Sequence, residues 1–218
     1  MAILYSIHPD NPQTDRIESI VRALRGGAVM LYPTDTVYAI GCDLNAPAAV
    51  KRVRQLKRMA NDKPLTFLCS SLSNIAEYAL VADQAYRIMR GLIPGPYTFL
   101  LPATKLVPRV VMNPKRKTTG IRVPNQPVCQ AILAALGNPV VSTSAYVPAD
   151  EDGTLPTLGI ERMRLFDALD PVVDIIIDTG VELGFKSSTI LDLTTDTPHM
   201  VRAGLGVDAL QDWMIDRD

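Results

Sequence analysis

The sequence predicts an α/β fold: a single-domain, twisted mixed sheet with helices packed on it. Strand-like and helix-like patterns alternate early in the chain, and strand signals cluster late. No composition shift marks a linker, and there is no internal repeat or low-complexity tract, so one domain over residues 1–218 is expected.

Ala2 to Ile7 reads as a short strand. Ile17, Ile20, Val21 and Leu24 repeat at helical spacing, and Gly26-Gly27 supplies the stop. Ala28 to Tyr32 is a buried strand that runs into Pro33-Thr34-Asp35-Thr36. Val37 to Cys42 is a further strand, followed by Asn45 as N-cap and Pro47 in the first turn of a helix. Val50, Val53 and Leu56 form that helix's apolar stripe, with Lys51, Arg52, Arg54, Lys57 and Arg58 expected on its outer face. Leu65 to Cys69 is a strand, Leu72 to Ala79 and Asp83 to Leu92 are helices, and Pro94-Gly95-Pro96 feeds a strand from Tyr97 to Leu101. A strand over Gly120 to Val123, a helix over Pro127 to Leu136 closed by Gly137, and a strand over Pro139 to Ser144 come next. Tyr146 to Pro156 is a Pro-, Asp- and Gly-rich surface loop. A helix from Ile160 to Leu169 precedes strands over Val172 to Asp178, Ser188 to Leu193 and His199 to Arg202, and a helix over Val207 to Ile215 closes the chain.

Hydrophobic residues make up 47% and charged residues 21%, so a globular core is expected and disorder is excluded as the main state. A net charge of −1 argues against a polycation that coats nucleic acid, though a local basic cleft stays open. Three widely spaced cysteines with no CxxC pair read as buried reduced thiols, and no metal site is expected. The absence of a signal-peptide pattern and of a long apolar run places the protein in the cytoplasm, away from membranes.

Hydroxyl residues gather at strand ends, where α/β proteins place their sites. They are Thr34 and Thr36 with Asp35 between them, Ser142 to Ser144, and Ser187 to Thr189. Lys57, Lys63, the run Lys115 to Lys117, Arg122 and Arg202 supply cations. Hydroxyls and backbone N–H groups donate to phosphate oxygens, and Arg adds a fork for carboxylate or phosphate. These residues together describe an anion-handling site suited to a nucleotide, without a Walker loop, GxGxxG, GxSxG or HExxH.

The segment Tyr32 to Asp43 (YPTDTVYAIGCD) resembles the signature of the YrdC/YciO family. So do Lys63-Pro-Leu65, Pro94-Gly-Pro-Tyr-Thr98, Arg122-Val-Pro124, Ser142-Thr-Ser-Ala145, Ser188-Thr-Ile190 and Arg202-Ala-Gly204, in order along the chain. Ile7 to Pro12 and Lys115 to Thr118 are similar to the YciO branch. The resemblance implies a large concave cleft on the sheet. It also implies condensation of threonine, bicarbonate and ATP to threonylcarbamoyl-AMP and pyrophosphate, with Mg²⁺ accompanying the nucleotide, in service of tRNA modification. Carried over by position, Thr34, Arg122, Ser142 and Ser188 would hold threonine. Lys57, Lys63, Thr118, Ser144 and Arg202 would face the nucleotide, and Lys57, Arg122 and Ser144 would be catalytic. The chain ends soon after Arg202, like the form without an extra C-terminal domain.

Two positions depart from the family's synthases, which carry Lys-x-Arg and later Ser-x-Asn. Met59 stands where the arginine would be and Tyr146 where the asparagine would be. Losing a guanidinium beside phosphates removes about 2 kcal/mol of stabilisation. The alternative reading is a protein that binds nucleotide or double-stranded RNA without the synthase chemistry, its basic residues tracking an RNA backbone.

Overall fold

The computed structural model describes residues 1–56, 65–108, 111–112, 115–145 and 162–210. In chain order the elements are β1 (Ile3–Ser6), α1 (Thr14–Arg25), β2 (Val29–Tyr32), β3 (Ala39–Asp43), α2 (Pro47–Leu56) and β4 (Thr66–Leu68). There follow α3 (Leu72–Tyr78), α4 (Asp83–Leu92), β5 (Tyr97–Pro102), β6 (Thr118–Arg122), α5 (Pro127–Leu136) and β7 (Val140–Ser144). Then come α6 (Arg162–Leu169), β8 (Ile175–Asp178), β9 (Thr189–Asp192) and β10 (His199–Arg202), with a single 3₁₀ turn at Val207–Leu210. The ten strands form one sheet in the order β1-β8-β2-β3-β7-β4-β6-β5-β9-β10. Four pairs are parallel, namely β1 with β8, β8 with β2, β4 with β6, and β5 with β9; the other pairs are antiparallel. The expected mixed α/β sheet is present.

Strand side chains alternate between faces, and here the alternation separates two cores. On one face Leu31, Ile40, Val141, Phe67, Ile121 and Phe99 pack with apolar residues of α2, α3, α4 and α6. On the other, Met30, Tyr32, Ala39, Val140, Leu68, Ile175 and Ile177 pack under α1 and α5. Ile17, Ile20, Val21 and Leu24 bury against the latter core, so the helical stripe read from sequence does its expected job. Truncating Ile20, which is fully buried, to alanine would cost about 2–5 kcal/mol. Helix α5 starts at Pro127 after Gln126, whose side chain accepts from the Cys129 N–H, and ends at Gly137 in the left-handed conformation at φ 79°.

Several boundaries move for identifiable reasons. Val172 and Val173 donate their N–H groups to the Leu169 carbonyl and finish α6, so β8 begins only at Ile175. Strand β6 begins earlier than expected because Thr118 and Thr119 pair with Pro102 and Leu101. Arg54 corrects the reading of α2: it lies one turn beyond Val50, on the inward stripe, and is buried there. Arg52 is also engaged, in an ion pair with Asp174 at 2.6 Å. Cys42, Cys69 and Cys129 are buried free thiols. The expected loop at 146–156, the start of the helix at 160, and the closing helix beyond 210 lie outside the described residues. Among those described, no helix is long and apolar enough to cross a membrane.

Candidate functional site

Helices α1 and α5 roof only part of their face of the sheet. Beyond them, the register aligns Ser144 with Ala39, Ser142 with Thr66, Thr66 with Gly120, and Leu68 with Arg122. Thr98 stands beside Ile190 on the far side. All these positions share one pleat direction, so the unroofed stretch becomes a hollow floored by polar side chains. Gly120 keeps the floor low, because a Cβ there would meet Thr66 Oγ1 at 3.4 Å and Thr98 Cγ2 at 3.5 Å.

The hollow measures about 220 Å³. Eight of its fourteen described lining residues carry a hydroxyl, two are arginines, and none is a carboxylate. That volume lies below the roughly 300 Å³ at which drug-sized pockets begin, so this portion matches a small polar ligand. The face is enclosed enough to hide its polar groups: Thr34, Thr36, Thr98, Ser142 and Ser188 are all buried.

Arg122, at the end of β6, is 6% exposed. Its guanidinium is paired with the Asp35 carboxylate and donates to Thr36 Oγ1 at 3.0 Å. Arg122 Nε and Asp35 Oδ2 are buried without a hydrogen-bond partner. The loop that brings Asp35 there is tied by Thr34, whose hydroxyl accepts from the N–H groups of Thr36 and Val37 and donates to the Val37 carbonyl at 2.6 Å. Cys129 Sγ contacts the Pro33 carbonyl oxygen at 3.0 Å and anchors the loop to α5. Ser142 Oγ accepts from Tyr32 O–H at 2.6 Å, and burial raises that phenol well above its ordinary pKa.

Across the hollow, Ser188 Oγ lies 2.8 Å from Thr98 Oγ1. Arg202 donates to the Ser188 carbonyl through Nε at 3.1 Å and through an η nitrogen at 2.8 Å. Gly204 permits this docking: a Cβ would lie 2.3 Å from the Ser187 carbonyl oxygen and 2.5 Å from that of Ser188. Its N–H donates to Thr189 Oγ1 at 3.0 Å. Segments 188–190 and 202–204 are therefore one structural unit. Arg202 is exposed as a residue, but partial desolvation of its docked guanidinium, and then the like charge of Arg122, lower its pKa from the ordinary value.

Of the expected residues, Thr34, Arg122, Ser142, Ser144, Ser188 and Arg202 line one hollow. Thr118 shares the strand face of Arg122 but lies four residues away, about 13 Å along β6, and is not a lining residue. Lys57, Lys63, Met59 and Tyr146 lie outside the described residues. The sequence put Asp35 and Thr36 in the strand-end cluster without an individual role, placed Thr98 only within the motif Pro94 to Thr98, and gave no sign of Thr66. Thr66 reads as an ordinary β-former, and only strand register reveals where it and Thr98 point.

The sequence profile of the Sua5/YciO/YrdC family, described as telomere recombination, matches residues 22–204. The chain belongs to that family. It is 42% identical over 206 residues to the uncharacterized protein YciO of Escherichia coli, covering 94% of this chain and 97% of that one. The crystal structure of E. coli YciO superposes with a TM-score of 0.86 at 41% identity, over 94% of this chain and 97% of that one. A threonylcarbamoyl-AMP synthase of E. coli is 32% identical over 168 residues, 75% of this chain and 86% of its own. P. abyssi Sua5, crystallised in complex with L-threonine, superposes with a TM-score of 0.81 at 25% identity. That match covers 93% of this chain and 58% of the Sua5 chain.

Proposed function

We propose that this member of the Sua5/YciO/YrdC family is a threonylcarbamoyl-AMP synthase-type nucleotidyltransferase, acting on threonine, bicarbonate and ATP. The observation that carries this reading is the convergence of Arg122, Arg202 and eight hydroxyl side chains on one hollow with no carboxylate among its described lining residues. Synthases among its relatives and the threonine complex of Sua5 support it.

In this reading Arg122 takes the threonine carboxylate, with Thr34, Ser142 and Ser188 shaping the amino-acid end. Arg202, Ser144, Lys57, Lys63 and Thr118 face the nucleotide. The neutral threonine amine attacks CO₂ and releases a proton to water, or attacks bicarbonate, whose departing hydroxide takes that proton and leaves as water. A carbamate oxygen then attacks the α-phosphorus as the bond to the β-phosphate breaks, and pyrophosphate departs. No protein nucleophile is required, so the protein's contribution is positioning and charge stabilisation. Among the described residues no cluster of acids, histidines or cysteines is built for a resident metal. Mg²⁺ would arrive on the nucleotide's phosphates and neutralise their charge there.

Purified protein incubated with threonine, bicarbonate, Mg-ATP and pyrophosphatase should yield the mixed anhydride. No product under conditions where the E. coli synthase makes it would overturn the proposal. Double-stranded RNA binding is less well supported, since α2 turns Arg54 inward and pairs Arg52 with Asp174. The exposed run Lys115 to Lys117 is what that alternative keeps. RNA binding that weakens along a salt series would favour it.

A further inference from the structure

Two guanidiniums share the hollow, yet they are not electrically equivalent. Arg122 has a buried carboxylate against it, whereas no described carboxylate lies in ion-pair reach of Arg202, whose partners are neutral oxygens of Ser188. Asp35 is not itself a lining residue; its side chain is 10% exposed and backs Arg122. One guanidinium is therefore part of a neutral ion pair, and the other keeps its positive charge among the described residues. Arg122 and Asp35 are buried, so their pairing is little screened by solvent, whereas Arg202 is exposed.

We propose that Asp35 is a specificity-determining residue: by neutralising and holding Arg122 it reserves that end for a single carboxylate and directs polyanions to Arg202. This rests on the reading that an amino acid and phosphates occupy the same hollow. A free pair of arginines would attract phosphate equally at both ends, and pyrophosphate bridging them would block the amino acid. The Asp35 carboxylate removes that symmetry. It leaves Arg122 able to donate to a carboxylate, but without the surplus charge that draws a phosphate chain. Both cations line the same hollow, so a change in the charge at Arg122 reaches a ligand held by Arg202.

The test is calorimetric binding of threonine and, separately, of inorganic pyrophosphate to wild type, Asp35→Asn and Asp35→Glu. Asp35→Asn keeps an acceptor for Arg122 but removes the charge. The surplus charge it leaves on Arg122 should tighten pyrophosphate about threefold or more, with threonine, which offers a single carboxylate, changing by less. Asp35→Glu keeps the charge while displacing the guanidinium, so threonine should weaken with pyrophosphate unchanged within about twofold. That variant alone decides the matter if Asp35→Asn does not fold. A merely structural role would weaken both ligands in parallel in either variant, and that result, or no change in either, would overturn the inference while leaving the proposed function standing. Wild-type protein that binds neither ligand would overturn both.

Discussion

Removing either member of the Arg122–Asp35 pair should destabilise the protein far more than the second removal adds. Both side chains are nearly excluded from solvent, with exposures of 7% and 10%, so screening does little to soften the loss. Arg122→Ala strands the Asp35 carboxylate among Thr36, Cys129 and the β6 end, and it also deletes the bond to Thr36 Oγ1. Breaking a buried pair from one side costs about 3–5 kcal/mol. Asp35→Ala should cost a similar amount, because Arg122 already has an unpartnered Nε and would lose its only described carboxylate. In the double variant the orphaned charge is gone, and the total should barely exceed either single loss. The coupling energy is then about 2–4 kcal/mol. Urea unfolding of the four proteins measures the cycle, provided the slope of the transition is unchanged. Additive single losses would refute the reasoning, since they would mean that the two groups do not compensate each other.

Other expectations concern different parts of the molecule. Gly204→Ala should cost about 1–3 kcal/mol in thermal or urea unfolding and weaken ATP binding, because backbone carbonyls of Ser187 and Ser188 occupy the space a Cβ needs. Tyr32→Phe should cost about 1 kcal/mol through the lost bond to Ser142, with threonine binding weakened less than by Arg122→Ala. The pair Met59→Arg with Tyr146→Asn should raise synthase turnover in a coupled pyrophosphate assay; no gain would mean the difference from the synthases runs deeper than two side chains. Burial, followed by the nearby Asp43, pushes the Cys42 thiol up to about 12, and burial raises Cys69 and Cys129 as well. Unfolded thiols titrate near 8.5, so the native protein holds protons that the unfolded chain releases. Stability should be flat below about pH 8 and fall as pH rises toward 12, by at most about 1.4 kcal/mol per pH unit per thiol. Unfolding at pH 8 through 10 monitors this, and a rise with pH would contradict it.

The helices were legible because their apolar positions repeat with one period and their ends carry punctuation. Pro127 and Gly137 bracket α5, and the stripe of α1 needs no partner to be recognised. Most strand cores were legible too, from runs such as Val29 to Tyr32. The sequence did not disclose that Asp35 pairs with Arg122, because 87 residues separate them and a PTDT segment also reads as a plain turn. Thr66 was invisible as a site residue, and Thr98 stood only inside a motif, since period-two alternation does not say which face is roofed. Arg54 misled for a related reason. A charged side chain on a helix is normally solvated, and only the packing of α2 shows this one turned inward.

The central claim is that Arg122 and Arg202, which line one hollow, hold different groups of the ligands. Isothermal titration of threonine and of Mg-ATP into wild type, Arg122→Gln and Arg202→Gln tests it most directly. Threonine affinity should collapse only in the first variant and ATP affinity chiefly in the second. Both ligands binding both variants as tightly as wild type would contradict the claim.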